Sequence, residues 1–261
     1  MKKFTFSVML ALATIVANAE ENAASTWTAN LATTEQVADL QRGSAMTIDN
    51  EGNAIVTGTY TKDIEFASSY LEPIATSAFI AKYDKAGNKK WAAGLKGAAT
   101  ITAVTNDTEG NVYAAGVFAD KVEILNGNGD SKEIINGMDG KTAQVSAFIV
   151  KYNKEGEYVT SKVVIPKVDM VNDTYFGDVY FTPNKIEANG DQILLSAQYT
   201  GKSTIDELTL KGQYCNKTDW FYMYDIPTLG VISMSNDLNN ATLVAQMAAT
   251  ENETYYGFGA E

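Results

Sequence analysis

Histidine is absent from the 261 residues of the chain, and cysteine occurs only once, as Cys215. Without histidine, the Ser-His-Asp and Cys-His catalytic arrangements, His-ligated zinc and an imidazole general base are all excluded. A single cysteine also excludes a disulfide within the chain. Any catalysis would therefore depend on carboxylates, tyrosine, lysine or a hard cation.

The chain also lacks an apolar run of the roughly 20 residues that a membrane-spanning helix needs. A shorter apolar run over residues 4–16 follows two lysines and ends at Ala17-Asn18-Ala19. This pattern is typical of a secretory signal peptide with small residues at the cleavage site. We therefore expect a signal peptide at residues 1–19. The mature protein would be exported across the inner membrane and be periplasmic, at the cell surface or extracellular, with no membrane span.

Basic residues are few, with 20 Lys and Arg against 32 Asp and Glu. Removal of the predicted signal peptide takes away two lysines and leaves 18 basic residues against 32 acidic ones, a formal charge of −14. A surface of this sign repels nucleic acid and anionic lipid, so neither is expected as a partner. The charge is spread along the chain, which indicates a solubilising surface, with the gathering of cations as the alternative.

The most informative feature that is present is a repeated phrase. AFIAKYDKAGNKKW at residues 78–91 returns as AFIVKYNKEGEYV at 147–159, and each follows a phrase with a glycine turn, such as DNEGNAIVTG. A third copy is more divergent, and we place its second half at TDWFYMYDIPTLGVISMS. Repeats of this size indicate supersecondary units that bury their faces against one another. The predicted units are 44–95, 100–165 and 181–235.

Each unit is predicted to hold two β-hairpins, because apolar residues alternate on both sides of a turn glycine that can adopt positive φ. The predicted turn residues are Gly52, Gly87, Gly110, Gly156, Gly190 and Gly230. The alternation places Ala78, Ile80 and Lys82 on the opposite strand face from Phe79, Ala81 and Tyr83. The segments between hairpins vary in length and are predicted to be surface loops, at 67–76, 126–143 and 211–217.

Units of four short antiparallel strands predict an all-β fold, a β-propeller of four-stranded blades that is incomplete in this chain. A β-sandwich is the alternative. DNEGNAIVTGTY and SAFIAKYDKAGNKKW resemble the bacterial SBBP-type repeat, named for the seven-bladed β-propeller. The second unit matches less fully, since it lacks the closing tryptophan. The resemblance implies a secreted protein with a binding or scaffold role and no catalytic residues.

Both ends of the chain extend the repeat pattern. STWTANLA at 25–32 is similar to KKWAAGLK at the end of the first unit, which predicts a ring-closing strand. Residues 240–261 are predicted to form the first hairpin of a fourth unit, turning near Asn252. Residues 20–261 would then be one repeat domain with fewer than the four blades that a ring requires. We expect a fragment of a longer protein, a strained four-blade ring or a dimer, with self-association through an open blade flank.

One segment is a candidate metal site. The loop NGNGDSKE carries oxygen-bearing side chains separated by glycines, and Asp139 follows it. Such spacing is how a loop wraps a calcium ion, although it departs from the EF-hand pattern, and a solvated turn is the alternative. No cofactor other than calcium is expected. Its candidate ligands are Asn126, Asn128, Asp130 and Glu133.

The predicted function is non-catalytic binding of a protein or a glycan through the variable loops. Aromatic residues of the last third suit either core packing or stacking on sugar rings: Tyr214, Trp220, Tyr222, Tyr224, Tyr255, Tyr256 and Phe258. Two alternatives remain. A glycoside hydrolase or lyase would use paired carboxylates and turn over a polysaccharide. A calcium-stabilised adhesin would melt at a chelator-sensitive temperature, and the Asp130→Ala variant would lose that sensitivity.

Overall fold

A computed structural model of the chain describes residues 41–61, 63–66, 69–74, 76–137, 145–167, 179–216, 223–249 and 255–259. All of its regular elements in these ranges are β-strands. This part of the chain has no helix long and apolar enough to cross a membrane. The predicted signal peptide, the segment at 25–32, Asp139, Trp220, Tyr222 and Asn252 lie outside the described residues.

The strands, in chain order, are β1 (Gln41–Ile48), β2 (Ala54–Tyr60), β3 (Ile64–Phe66), β4 (Ser69–Leu71), β5 (Ser77–Tyr83), β6 (Lys89–Lys96), β7 (Ala99–Asn106), β8 (Val112–Ala119), β9 (Lys121–Leu125), β10 (Ser131–Asn136), β11 (Val145–Tyr152), β12 (Tyr158–Val164), β13 (Phe181–Asn189), β14 (Gln192–Tyr199), β15 (Lys202–Ile205), β16 (Leu208–Lys211), β17 (Gln213–Asn216), β18 (Met223–Ile226), β19 (Thr228–Ser235), β20 (Thr242–Ala249) and β21 (Tyr255–Gly259).

Three large antiparallel sheets hold most of these strands. Sheet 1 has the order β1-β2-β5-β6-β9-β10, sheet 2 the order β7-β8-β11-β12, and sheet 3 the order β13-β14-β19-β20-β21. Each contains four strands that follow one another outward from an inner strand. This confirms the prediction of an all-β fold built from four-stranded antiparallel units of the propeller type.

Sheet 3 departs from the predicted arrangement. Its third strand is β19, which pairs with β14, and its fourth strand is β20. The register therefore aligns TLGVISMSNDLN, not TDWFYMYD, with the phrase SAFIAKYDKAGN. The predicted turn at Gly230 is wrong, because Gly230 lies inside β19 and pairs with both Ala197 and Gln246. Residues assigned to a fourth unit instead complete the third sheet.

In the third unit a glycine takes the position of an aromatic residue, since Gly230 lies where the third strands of the first two units have a phenylalanine. In the first two units a glycine on the second strand faces a phenylalanine on the third, as in the pair Gly116 and Phe148. In sheet 3 the glycine lies on the third strand, where an added Cβ would lie 2.8 Å from the ring of Tyr199. Phe181 of β13 stacks on Tyr199 instead, with ring centroids 5.9 Å apart.

The sheets pack face to face, and their inner strands β1, β7 and β13 lie side by side. One core forms between sheets 1 and 2, where Ile55 and Ile80 meet Phe148 and Tyr152. A second core forms between sheets 2 and 3. Successive residues of one strand enter different cores, since Phe148 belongs to the first and Ile149 to the second. Burial of each such side chain stabilises the fold by about 1.5–3 kcal/mol.

Each inner strand carries a β-bulge at the same register. The shift falls between Gly43 and Ala45 in β1, between Ile101 and Ala103 in β7, and between Pro183 and Lys185 in β13. The Thr102 hydroxyl in the middle bulge donates to the Pro183 carbonyl of the next sheet at 2.6 Å. Proline is tolerated here because the inner strand is a sheet edge. The middle bulge therefore joins sheets 2 and 3 near their inner strands.

We expect the Gly116→Ala variant to lose about 3 kcal/mol of unfolding free energy through overpacking. A Cβ at this position would lie 2.1 Å from the Thr100 carbonyl oxygen and 2.9 Å from the Phe148 ring. Urea denaturation measures the loss. Gly52→Ala is the matched control, because its added Cβ would lie 3.6 Å from the nearest atom. That variant should lose only about 1 kcal/mol, from its positive φ. Equal losses would contradict the packing assigned to Gly116.

Candidate binding surface

The D-x-x-G-N phrase folds as a five-residue turn that is repeated through the molecule. In the first copy the Asp49 carboxylate accepts hydrogen bonds from the backbone N–H of Glu51 at 3.0 Å and of Asn53 at 2.8 Å. The Gly52 N–H donates to the Asp49 carbonyl, and Gly52 has a φ of 81°. The motif is therefore a structural turn whose carboxylate satisfies backbone donors.

The same turn joins strands in all three sheets. It recurs at Asp84–Asn88, Asp107–Asn111, Asn153–Glu157 and Ser235–Asn239. In the last copy Leu238 takes the glycine position with a φ of 67°. That substitution hid the turn from the sequence analysis, since leucine seldom adopts positive φ. Because strands alternate in direction, these turns and the β13–β14 turn lie at one edge of the sheets. We call this surface the turn face.

A buried ion pair supports the turn face in the first unit. The Lys82 ammonium lies 2.9 Å from the Asp49 carboxylate, and the two side chains are 5% and 3% exposed. Burial alone would raise the pKa of Asp49, but the hydrogen bonds from Asn53 and Lys82 outweigh it, so the pKa is lowered. Asp49 is therefore a charged structural anchor.

The corresponding lysine of the second unit has different partners. Lys151 donates to the Asn236 carbonyl of sheet 3 at 2.9 Å and lies 5.2 Å from the centroid of the Tyr113 ring. The Tyr113 hydroxyl donates to the Asp107 carboxylate at 2.9 Å. Burial, followed by the hydrogen bond to Asp107, raises the pKa of Tyr113. This lysine therefore ties sheet 2 to a turn of sheet 3.

A shallow cavity of about 180 Å³ opens on the turn face, where the turns after the inner strands β1, β7 and β13 converge. We call it the axial cavity. Asn50 and Thr108 are exposed there, and neither has a hydrogen-bond partner among the described residues. They can therefore bind an external group. The cavity is lined by Asn50, Asn106, Asp107, Thr108, Ala188 and Gly190.

The predicted variable loops are β-hairpins that begin at the opposite edge of the sheets, and the turn of the β9–β10 hairpin reaches back to Gly156 of the turn face. Strands β3–β4, β9–β10 and β15–β16 each form one, with β17–β18 in addition. Strand β9 joins the outer edge of sheet 1 by pairing with β6 at Leu95 and Lys96. Asp206, between β15 and β16, lies 2.5 Å from Lys162 of β12. The β9–β10 and β15–β16 inserts therefore bind the outer strand of the preceding sheet.

A second cavity of about 150 Å³ lies on this insert side. Lys96 and Glu72 form an ion pair there at 3.6 Å. Because the two groups neutralise each other, neither Lys96 nor Glu72 offers a free charge to a ligand in this cavity. It is lined by Glu72, Lys96, Glu123, Leu125, Gly129 and Ser131.

The predicted calcium ligands follow the geometry of the repeated turn. Asn126 and Gly129 make its two backbone hydrogen bonds, and the Asn128 amide donates to the Asp130 carboxylate at 2.8 Å. The Asn126 side-chain oxygen accepts from the Tyr158 N–H at 2.6 Å. Each of these three side chains is thus hydrogen-bonded within the protein.

Glu133 points to another part of the structure. Its carboxylate accepts hydrogen bonds from the Tyr158 hydroxyl and from the Ser161 hydroxyl, the latter at 2.8 Å. Burial, followed by the bond to Glu133, raises the pKa of Tyr158 to about 12. Across the described residues, no cluster of three or more His, Cys, Asp or Glu side chains is placed to hold a metal ion. The calcium site stays a prediction.

Comparison with known proteins supports the fold class. No family model matches the chain. A stretch of 129 residues is 31% identical to an uncharacterized WD repeat-containing protein of Acanthamoeba polyphaga mimivirus. The match covers 43% of this chain and 9% of that relative, so the chain spans about a tenth of its length. The four-stranded sheets and this similarity define an all-β repeat protein of the propeller type.

We expect the Asp49→Asn variant to lose about 3 kcal/mol of unfolding free energy at neutral pH, because Lys82 would stay buried without a counter-charge. Asp49 has a folded pKa below its ordinary value of 3.8, so unfolding takes up a proton in acid. Its contribution is therefore complete above that value and is lost as the pH falls through the folded pKa. The difference between wild type and variant should shrink below about pH 4.

Urea denaturation at a series of pH values measures this difference. The Asp191→Asn variant is the matched control, because Asp191 is an exposed turn carboxylate. Its difference from wild type should stay small throughout. A constant difference between wild type and Asp49→Asn across the acid range would contradict the role assigned to the ion pair.

Proposed function

We propose that this protein is a non-catalytic propeller-type module that binds a basic segment of a protein partner at the axial cavity. The convergence of three inner turns on one cavity is the observation that carries the proposal. A site built from adjacent sheets forms only when the sheets stack, which is typical of binding surfaces on repeat proteins. The similarity to a WD repeat-containing protein supports a scaffold role without turnover.

The charge of the inner turns supports a basic partner. Each of the three turns carries one exposed acid, namely Glu51, Glu109 and Asp191, and none of the three contains a lysine or arginine. Like charges on one rim attract a cationic segment and speed its association. The insert side supports this role less well, because its hairpins hold the outer strands of neighbouring sheets.

Secretion belongs to the same proposal. The N-terminal apolar run and the resemblance to the SBBP-type repeat support a bacterial protein that acts outside the cytoplasm, in the periplasm or at the cell surface. N-terminal sequencing of the exported protein tests this point, and we expect it to begin at Glu20. An uncleaved protein retained in the cytoplasm would contradict it.

Self-association is proposed through the outer face of sheet 3. Leu229 and Met247 are cross-strand neighbours on this face and are 36% and 42% exposed. The residues at the same register in sheet 2, Ala147 and Val164, are fully buried against the next sheet. The face thus repeats an interface found twice within the chain. We propose that a second copy covers it.

We expect the Glu51→Lys, Glu109→Lys double variant to bind basic peptides at least about tenfold more weakly than wild type, a loss of about 1.4 kcal/mol. The matched control is the Glu72→Lys, Glu207→Lys double variant, which makes the same charge change on exposed insert residues. A basic peptide library and a glycan array, probed in parallel, provide the measurement. Equal losses in the two variants, or selective binding to glycans alone, would overturn the proposal.

We expect the Leu229→Glu, Met247→Glu double variant to be monomeric at concentrations where the wild-type protein forms larger species, since it places charges in an apolar contact. Sedimentation velocity measures the distribution. The Lys185→Glu variant controls for charge, because Lys185 is an exposed residue of the inner strand of the same sheet. A monomeric wild-type protein would contradict self-association and would leave the peptide-binding test unaffected.

A further inference from the structure

The chain contains Asn-Gly pairs at Asn126, Asn128, Asn136 and Asn189. In such a pair the backbone nitrogen of the glycine can attack the asparagine side-chain carbonyl, because glycine has no side chain to hinder the approach. Ammonia leaves and a five-membered succinimide forms. Water then opens the ring at either carbonyl and gives aspartate or isoaspartate. The sequence alone does not distinguish the four pairs.

Three of the attacking nitrogens are held by hydrogen bonds. The Gly127 N–H donates to the Gly156 carbonyl at 2.7 Å, the Gly129 N–H to the Asn126 carbonyl at 2.9 Å, and the Gly137 N–H to the Asp120 carbonyl at 2.8 Å. A nitrogen that donates a hydrogen bond must first break it before it can be deprotonated and attack. Local opening of the turn is therefore required at these sites.

In the fourth pair neither the asparagine side chain nor the glycine N–H is held by a hydrogen bond among the described residues. Asn189 and Gly190 are exposed at the tip of the β13–β14 hairpin, where Gly190 has a φ of 61°. The Gly190 N–H has no acceptor among the described residues, and the Asn189 side chain has no hydrogen-bond partner there either. An added Cβ on Gly190 would meet no atom within 4 Å, so the turn is open to solvent.

We propose that Asn189 is a site of spontaneous deamidation in the folded protein. Solvent base removes the Gly190 amide proton, a bond forms from that nitrogen to the Asn189 side-chain carbon, and the carbon–nitrogen bond to ammonia breaks. Hydrolysis adds one water. The net change replaces an amide by a carboxylate without any oxidant or cofactor.

The product would change the turn face. Ala188 and Gly190, on either side of Asn189, both line the axial cavity. Aspartate would add a negative charge beside Asp191, and isoaspartate would also lengthen the backbone at the Asn189–Gln192 pair. The effect on binding rests on the proposed function, while the modification itself does not. A charge added here would strengthen the attraction for a basic segment.

Peptide mapping by mass spectrometry after incubation of the folded wild-type protein at mildly alkaline pH tests the proposal. We expect the Asn189 peptide to convert at least about tenfold faster than the peptides of the other three pairs, a difference of about 1.4 kcal/mol in activation free energy. In concentrated urea all four should convert at similar rates, because the protecting hydrogen bonds are lost.

Either of two results would overturn the proposal: conversion of Asn189 no faster than the others in the folded protein, or the same preference in urea, which would trace it to local sequence. The Asn189→Gln variant is the control for peptide assignment, since its longer side chain disfavours the five-membered ring. The Asn189→Asp variant, compared with wild type in the basic-peptide assay, tests the binding consequence separately. A failure there would count against the proposed function and not against the modification.

Discussion

The packing of one four-stranded sheet face against the next is the interaction on which the rest of the structure depends. Sheet 2 shows this most clearly, because alternate residues of β11 enter different cores. Its central strands β8 and β11 are therefore buried on both faces, and they are accordingly rich in small and apolar residues. Small residues are also required within the sheet, since Gly116 of β8 lies so close to Thr100 of the neighbouring strand β7 that no side chain fits. The positions of the turns and inserts depend on this packing of the sheets.

Contacts between units reinforce the stack at its perimeter. Trp91, at the end of the first unit, donates from its indole N–H to the Lys154 carbonyl at 3.0 Å. Its ring covers Gly156, where an added Cβ would lie 2.5 Å away. The turn glycine of the second unit thus serves two purposes, positive φ and space for a neighbouring ring. The insert hairpins act similarly, since β9 extends the edge of the preceding sheet and leaves that edge less open to non-specific pairing.

Residues at equivalent positions of the three units make different contacts. Lys82 forms an ion pair inside its own unit, whereas Lys151 reaches a carbonyl of the next sheet. Ser233 takes the place of both in the third unit, and the outer face there is more exposed. The turn face is nevertheless built jointly by the three units, because the axial cavity contains residues from each of them. The same assembly explains why Asn189, remote from the other Asn-Gly pairs, lies beside that cavity.

The sequence by itself determined the all-β class, the four-stranded unit and five of the six turn glycines, because alternation and glycine turns are local patterns. It misplaced Gly230. In the third unit the third strand has this glycine where the other units have a phenylalanine, and Phe181 of the inner strand supplies a ring instead; this difference is visible only when the strands are paired. The loop at 126–133 was a candidate calcium site with a solvated turn as the alternative; its side chains lie in a turn and in a contact with β12, and the calcium site stays a prediction. Only the tertiary structure decided which residues share the axial cavity and which asparagine is unprotected, because both depend on hydrogen bonds and packing between segments far apart in the chain.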